Sequence, residues 1–178
     1  MKKHILLTLV PAFGLLAAIA VLPVSQAHAQ RNNGSVVRWD RIVGVITALN
    51  VDNPVADIHS GTFAWSAQSG NAHINLSTGT ASFKVEGLVI IGTPFSGTPG
   101  PVTAVTGTLV CNAGDATSEA VLDTDKVPLS ENGDANFSGH IANIPSPCAN
   151  PIFLIRIADP EGAAGFWIAT GADRSTGR

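Results

Sequence analysis

The chain has 178 residues, a formal net charge of −3 and only 13% charged residues, with its lysines and arginines scattered singly. Nucleic-acid binding needs clustered positive charge and anionic membranes bind basic amphipathic helices, so this composition argues against both partners. The apolar content of 45% is too high for a disordered chain, and the abundance of Gly, Ala, Ser, Thr, Asn and Val is typical of a β-rich exported domain.

The first 29 residues have the pattern of a cleavable export signal. Lys2 and Lys3 begin it, residues 5–24 are apolar, and "AHA" at 27–29 is a small-x-small cleavage site. A retained transmembrane anchor is the alternative, because the apolar run has about the 20 residues that a span needs. Prolines inside the run favour cleavage, which removes two lysines and no acid and so changes −3 to −5. The signal predicts a secreted or periplasmic protein, and the short basic start is typical of bacteria.

The rest of the chain is predicted to form one domain with short polar ends. Residues 30–35 form a flexible lead-in, residues 36–171 a single all-β domain, and residues 172–178 a polar C-terminal tail. The part that follows the signal is of ordinary size for one domain.

Apolar and polar residues alternate with period two along this part, which is the pattern of half-buried antiparallel strands. Short strands at this spacing predict an antiparallel β-sandwich, with a closed β-barrel as the alternative. The two longest strands are predicted to bend at Gly44 and Gly87. We expect about ten strands: 36–48, 62–67, 72–77, 80–91, 102–111, 117–122, 126–130, 134–142, 152–158 and 164–170.

Three turn signals separate these strands. "STG" at 77–79 and "ENGD" at 131–134 predict short hairpins between their flanking strands, the second through its Asn-Gly pair. "DPEG" at 159–162 fits a type I turn.

Cys111 and Cys148 are the only two cysteines. Export exposes them to an oxidising compartment, where an even pair predicts a disulfide. Two free thiols are the alternative.

Arg156 is the one charged residue in a strand, 152–158, whose two faces are both largely apolar, so that strand is expected to be central. Asp159, Glu161 and Asp40 are its candidate partners. A structural role is the first interpretation, and binding of a carboxylate or a sugar hydroxyl is the second.

The Gly-, Pro- and Thr-rich stretch 92–102 is predicted to be an exposed loop that displays Phe95, a second candidate binding residue. An ordinary connection between strands is the alternative.

Acidic residues cluster loosely in "GDATSEAVLDTDK", and Asp123 and Asp125 are candidate calcium ligands there. A solvated acidic edge is the alternative, which also covers Asp115, Glu119 and nearby Asp134. Calcium is the one cofactor that the sequence suggests. Three histidines remain after export, His59, His73 and His140. His73 and His140 lie on the polar faces of predicted strands, and solvent-facing positions are the simplest interpretation.

No nucleophile motif of the G-x-S-x-G type is present, and an oxidised cysteine pair supplies no thiolate. Trp65 and Trp167 lie in apolar surroundings that suit core packing better than a sugar-binding cleft. We therefore predict no catalytic residues.

The segments "GTLVCN", "VPLSENGDANFSGHI" and "IFLIRIA…FWIATG" resemble an uncharacterised family of small exported bacterial proteins. The resemblance covers most of the chain after the signal. It implies an exported β domain with one cysteine pair, and it supplies no catalytic residues.

These observations together predict an exported, non-catalytic module for binding or structure, with a protein or glycan as its partner. A binder of small apolar ligands with a barrel interior is one alternative. A hydrolase that uses scattered carboxylates or histidines is the other.

Overall fold

The computed structural model describes residues 35–48, 51–158 and 163–177. The predicted signal, most of the lead-in and the "DPEG" turn with Asp159 and Glu161 lie outside these residues. All regular secondary structure within them is β-strand, which confirms the all-β class. Within the same ranges we find no helix with the length and apolarity to cross a membrane.

Eleven strands form the described part of the chain, close to the number predicted. They are β1 Val36–Gly44, β2 Ala64–Ser66, β3 Ser69–Asn75, β4 Thr80–Glu86, β5 Val89–Ile91, β6 Ala104–Cys111, β7 Ala120–Asp123, β8 Val127–Pro128, β9 Ala135–His140, β10 Ile152–Ala158 and β11 Ala164–Gly177.

Nine of these strands form one antiparallel sheet in the order β7-β6-β10-β11-β1-β3-β4-β9, with β8 also paired to β6. β2 and β5 form a separate two-stranded sheet. The large sheet is strongly curled. Three strands separate β4 from β10 in the sheet, and yet Phe83 of β4 contacts Phe153 of β10, with ring centroids 5.6 Å apart. Two layers therefore face each other across one core.

Aromatic side chains fill the interior of the curled sheet. Trp39 contacts Phe153, and Phe83 contacts both Phe153 and Phe137. All four are almost completely buried. Gly107 of β6 lies beneath this cluster, where a Cβ atom would sit 2.9 Å from the ring of Phe83. Alternation along the strands supplies this cluster, because every second residue points inward.

The predicted bend at Gly87 is confirmed. Gly87 has a φ of 61°, and it separates β4 in the large sheet from β5 in the small one. The "STG" turn likewise joins β3 to β4 as a hairpin, with Gly79 at a φ of 75°.

The hairpin predicted at "ENGD" is wrong. The turn itself forms, since Gly133 N–H donates to the Ser130 carbonyl at 2.9 Å. However, β8 before it pairs with β6, and β9 after it pairs with β4. An Asn-Gly signal fixes a local reversal of the chain, whereas the choice of strand partner depends on contacts elsewhere in the sheet.

The polar segment 172–177, predicted as a tail, belongs to β11 instead. It continues the ladder with β1, from Arg41 opposite Ala172 to Val36 opposite Gly177. This segment is held by backbone pairing and most of its side chains are exposed, so the end of the apolar pattern does not mark the end of the strand.

The predicted disulfide is present. Cys111 at the end of β6 is bonded to Cys148, 37 residues later in the connection between β9 and β10, with the Cα atoms 4.9 Å apart. Cys111 is completely buried. The bond ties this long connection to the end of β6, the strand next to the edge strand β7.

Candidate functional site

Arg156 lies at an irregularity in the pairing of β10 with β11. Its guanidinium donates to the backbone carbonyls of Gly165 at 2.8 Å and Ala164 at 2.5 Å. Its third contact is Asp123, at 3.3 Å, which was not among the predicted partners. Of those, Asp40 does not contact it, and Asp159 and Glu161 lie outside the described residues. With only 13% of its side chain exposed, Arg156 directs its donors onto its own fold.

The candidate calcium ligands Asp123 and Asp125 follow β6 in the chain. Asp123 accepts a hydrogen bond of 2.5 Å from the Thr108 hydroxyl in addition to its contact with Arg156. Asp125 is exposed in the connection from β7 to β8. Across the described ranges, no three His, Cys, Asp or Glu side chains come together as a metal-binding group.

The other acids of the predicted acidic edge, Asp115, Glu119 and Asp134, accept hydrogen bonds from nearby turns. Asp115 accepts hydrogen bonds from the hydroxyls of Thr117 and Ser118, and the Thr117 contacts above all lower its pKa to about 2. Glu119 accepts from Gly114 N–H at 2.8 Å, and Asp134 accepts from Gly87 N–H at 3.0 Å. These carboxylates bind backbone and hydroxyl groups of their own chain.

His73 and His140 point outward from two strands that flank β4. His73 lies opposite Ser82, and His140 lies opposite Thr80. A whole strand and a two-residue offset therefore separate the two histidines on the sheet surface.

A concave and mainly apolar surface lies beside the small β2–β5 sheet. This end groove has a volume of about 410 Å³ and contains the predicted residue Phe95, which is 50% exposed. No lining residue is ionisable. The groove is lined by Thr47, Thr62, Phe63, Ala64, Ile91, Gly92, Thr93, Pro94 and Phe95.

Two features of the sequence place Phe63 and Phe95 in the end groove. Trp65 lies within β2 and is buried in the core, whereas Phe63 precedes the strand and is 37% exposed. The Pro- and Gly-rich loop after β5 folds back so that Gly97 N–H donates to the Ile90 carbonyl, which holds Phe95 near the small sheet. Phe63 and Phe95 thus come to line one groove from distant parts of the chain.

A second concavity of about 340 Å³ adjoins the end groove, and the two share Thr62. This side cleft is lined by Val51, Asp52, His59, Ser60, Thr62 and Phe166. Phe166 is 48% exposed because it alternates with the buried Trp167 of β11.

Asp52 and His59 form an exposed pair in the side cleft, with Nδ1 of His59 2.5 Å from the Asp52 carboxylate. This hydrogen bond raises the pKa of His59 and lowers the pKa of Asp52. Asp52 also accepts from Ser60 N–H at 2.9 Å. Ser60 Oγ is buried and contacts Asp52 and Asn53 N–H, so these contacts do not build a serine–histidine nucleophile pair.

The irregular segment 51–60 is fastened to β11 by a single tryptophan. The indole N–H of Trp167 donates to the Asn53 carbonyl at 2.8 Å, and its backbone N–H donates to the His59 carbonyl at 3.0 Å. These contacts lie on both sides of the turn that brings Asp52 and His59 together. Sequence reasoning missed the pair because this segment has no periodic pattern.

The comparisons with known proteins return no match: no family profile, no curated protein and no solved structure is similar to this chain.

Proposed function

We propose that this protein is an exported, non-catalytic interaction module, and that the end groove binds an apolar segment of a protein partner. The observation that carries this proposal is the uncharged groove with two exposed phenylalanines, Phe63 and Phe95, among its lining residues. Partly exposed aromatic side chains in a concave surface are the usual anchors of protein recognition. The disulfide, together with the export signal read from the sequence, supports an oxidising compartment.

The chemistry of the lining favours a protein segment over a glycan. Two of its three threonine hydroxyls already bind backbone groups, that of Thr47 to Val51 and that of Thr93 to Phe95. Sugar recognition requires several convergent polar groups, whereas this lining is mainly apolar. Burial of apolar surface is therefore the main driving force that the groove offers.

The filled aromatic interior supports a surface site over the alternative of a small ligand inside a barrel. For the alternative of a hydrolase, the Asp52–His59 pair is the relevant group, and its serine neighbour contacts the carboxylate rather than the imidazole. Both the filled interior and the contacts of Ser60 therefore favour an interaction module over these two alternatives.

Titration of the protein with the uncharged apolar dye Nile red, followed by fluorescence, tests the end groove. We expect the double variant Phe63→Ala/Phe95→Ala to bind at least about 10-fold more weakly, because truncation of an aromatic anchor costs more than about 1 kcal/mol. Val121→Ala is the matched control, since Val121 is similarly exposed but lies on β7. Equal dye binding by the double variant and the control would contradict the proposal.

A further inference from the structure

The irregular segment 51–60, which we call the strap, builds most of the side cleft. Four of the six residues that line the cleft belong to it: Val51, Asp52, His59 and Ser60. The other two are Thr62, just after the strap, and Phe166 of β11. The side cleft therefore exists only while the strap lies against β11.

The strap is attached to β11 through hydrogen bonds of Trp167. The indole N–H of Trp167 donates to the Asn53 carbonyl, and its backbone N–H donates to the His59 carbonyl. Just after the strap, Gly61 N–H donates to the Trp167 carbonyl at 2.8 Å. Among the described strands of both sheets, none includes a residue of the strap. The strap can thus leave β11 without breaking a ladder of either sheet.

Few side chains of the strap are buried. Ile58 and Ser60 are buried, with 7% and 4% of their surface exposed. Six of the ten residues are exposed: Val51, Asp52, Asn53, Pro54, Asp57 and His59. Segments that bury little apolar surface open locally at a lower free energy than the core strands do. We therefore expect the strap to open while the large sheet stays folded.

Two features of the strap act against each other. Ala56 has a φ of 52°, in the left-handed region that a residue with a Cβ atom adopts only at a cost in free energy. Asp52 acts in the opposite direction, because its carboxylate accepts from the His59 ring and from Ser60 N–H and so joins the two ends of the strap. A strained turn of this kind persists only while the contacts around it hold it in place.

We propose that the strap opens and closes as one unit on a fixed sheet, and that the Asp52–His59 pair holds it closed. Closure forms the side cleft, and opening removes it. Because the side cleft and the end groove share Thr62, this motion decides whether the concave surface extends beyond the end groove. The inference goes beyond the proposed function and does not depend on what the end groove binds.

Native-state hydrogen exchange, followed by NMR, tests the unit. Two amides report on the closed strap, since Ile58 N–H donates to the Val55 carbonyl and Trp167 N–H donates to the His59 carbonyl. We expect these two amides to have the same opening constant within about 2-fold, and to open at least about 10-fold more often than the amides of β3 and β4. Strands β3 and β4 are each paired on both sides, so exchange there requires wider unfolding. Unequal opening of Ile58 and Trp167, or protection equal to that of β4, would overturn the proposal.

The turn of the strap supplies a matched pair of variants. Ala56→Gly should slow exchange at Ile58 and Trp167 at least about 2-fold relative to β4, because glycine adopts a positive φ without strain. Asp57→Gly is the control, since Asp57 lies in the same turn without a positive φ, and it should not slow exchange. Equal exchange in Ala56→Gly and wild type would contradict a strained strap.

Asp52→Ala tests the contacts that hold the strap closed. It should speed exchange at Ile58 and Trp167 at least about 2-fold relative to β4, because it removes the acceptor for His59 and Ser60 N–H. Unchanged exchange at Trp167 would reject the Asp52–His59 pair as the group that holds the strap. The Nile red titration remains a separate test of the proposed function, because neither Phe63 nor Phe95 belongs to the strap.

Discussion

Among the described residues, the guanidinium of Arg156 contacts three groups of its own fold. Two are backbone carbonyls of β11 at the irregular end of its pairing with β10, and the third is Asp123 at the end of β7. The planar guanidinium suits this arrangement because its donors diverge in a fixed fork, which the ammonium of lysine does not have. The residue therefore compensates for hydrogen bonds that the irregular pairing removes from the strand.

Replacement of Arg156 by alanine should lower the free energy of unfolding by about 2–3 kcal/mol, because hydrogen bonds to charged donors contribute about 1.5–3 kcal/mol each. Urea unfolding measures the change. Arg41→Ala is the control, since the Arg41–Asp173 ion pair is exposed and such pairs contribute at most about 1 kcal/mol. Equal losses in the two variants would show that the Arg156 contacts are not specifically stabilising.

The Asp52–His59 pair makes its contribution to the stability of the fold depend on pH. The hydrogen bond from His59 raises that residue's pKa above 6.5 and lowers the pKa of Asp52 below 3.8. The raised histidine pKa stabilises the fold fully below pH 6.5 and loses its effect as the pH rises through the folded value. The lowered pKa of Asp52 stabilises the fold above pH 3.8, and this stabilisation is lost as the pH falls through the folded value. The pair is therefore strongest between these limits.

Asp52→Asn should lower the pKa of His59, because it removes both the charged acceptor and the Coulomb attraction. An NMR titration of the His59 ring in wild type and variant measures the shift directly. Asp57→Asn is a useful control, because Asp57 is the weakest contributor to the raised pKa of His59. An unchanged midpoint in Asp52→Asn would mean that the pair does not persist in solution.

At the level of elements, alternation predicted most strands because each pairs an apolar inner face with a polar outer face. Ala81, Phe83 and Val85 are buried in β4 as their spacing indicates. What alternation cannot predict is which strands pair, as "ENGD" shows, since partner choice depends on distant contacts. Nor did it reach residues 172–177, where the ladder with β1 continues although the apolar pattern has ended.

In the candidate site, too, residues set by local sequence were predictable, whereas residues brought together by tertiary structure were not. Phe95 was predictable because a Pro- and Gly-rich loop cannot bury a large side chain in a regular ladder. Asp52 and His59 meet only because Val55 and Ile58 form an isolated bridge that turns the chain back on itself. A bridge of that length leaves no periodic trace in the sequence, so the pair emerges from tertiary structure.

Gly107 offers a test of the filled core at the level of a strand. A Cβ atom there would lie 2.9 Å from Phe83 and 3.0 Å from Phe153, inside normal contact distance. Gly107→Ala should therefore lower the free energy of unfolding by about 2 kcal/mol, as overpacking does in well-packed cores. In contrast, a Cβ atom at Gly165 of β11 meets only the Ile157 carbonyl, at 3.6 Å, and Gly165→Ala should change stability by less than about 0.5 kcal/mol.

Chemical denaturation of the two alanine variants provides the comparison. Similar midpoints for Gly107→Ala and Gly165→Ala would show that the aromatic cluster yields to an added methyl group. The interior would then be looser than the ring contacts of Phe83 and Phe153 indicate.

On the scale of the whole molecule, two connections hold the curled sheet closed. The turn before β9 brings Gly133 against the backbone of Leu88, whose N–H donates to the Gly133 carbonyl at 2.8 Å. The connection after β9 carries Cys148 to Cys111 in β6. Asn112 reinforces that attachment, because its side chain accepts from Ala149 N–H at 2.7 Å.

The disulfide should dominate the stability of this closure. It links residues 37 apart, for which the chain-entropy model gives roughly 3–4 kcal/mol of stabilisation. The double variant Cys111→Ser/Cys148→Ser should lose about that amount, plus the cost of placing a hydroxyl at the buried position 111. Cys111→Ala/Cys148→Ser separates the two contributions, because alanine leaves no polar group in the core. If unfolding in urea is equally easy for wild type and the alanine–serine variant, then Asn112 and the strand ladders close the sheet unaided.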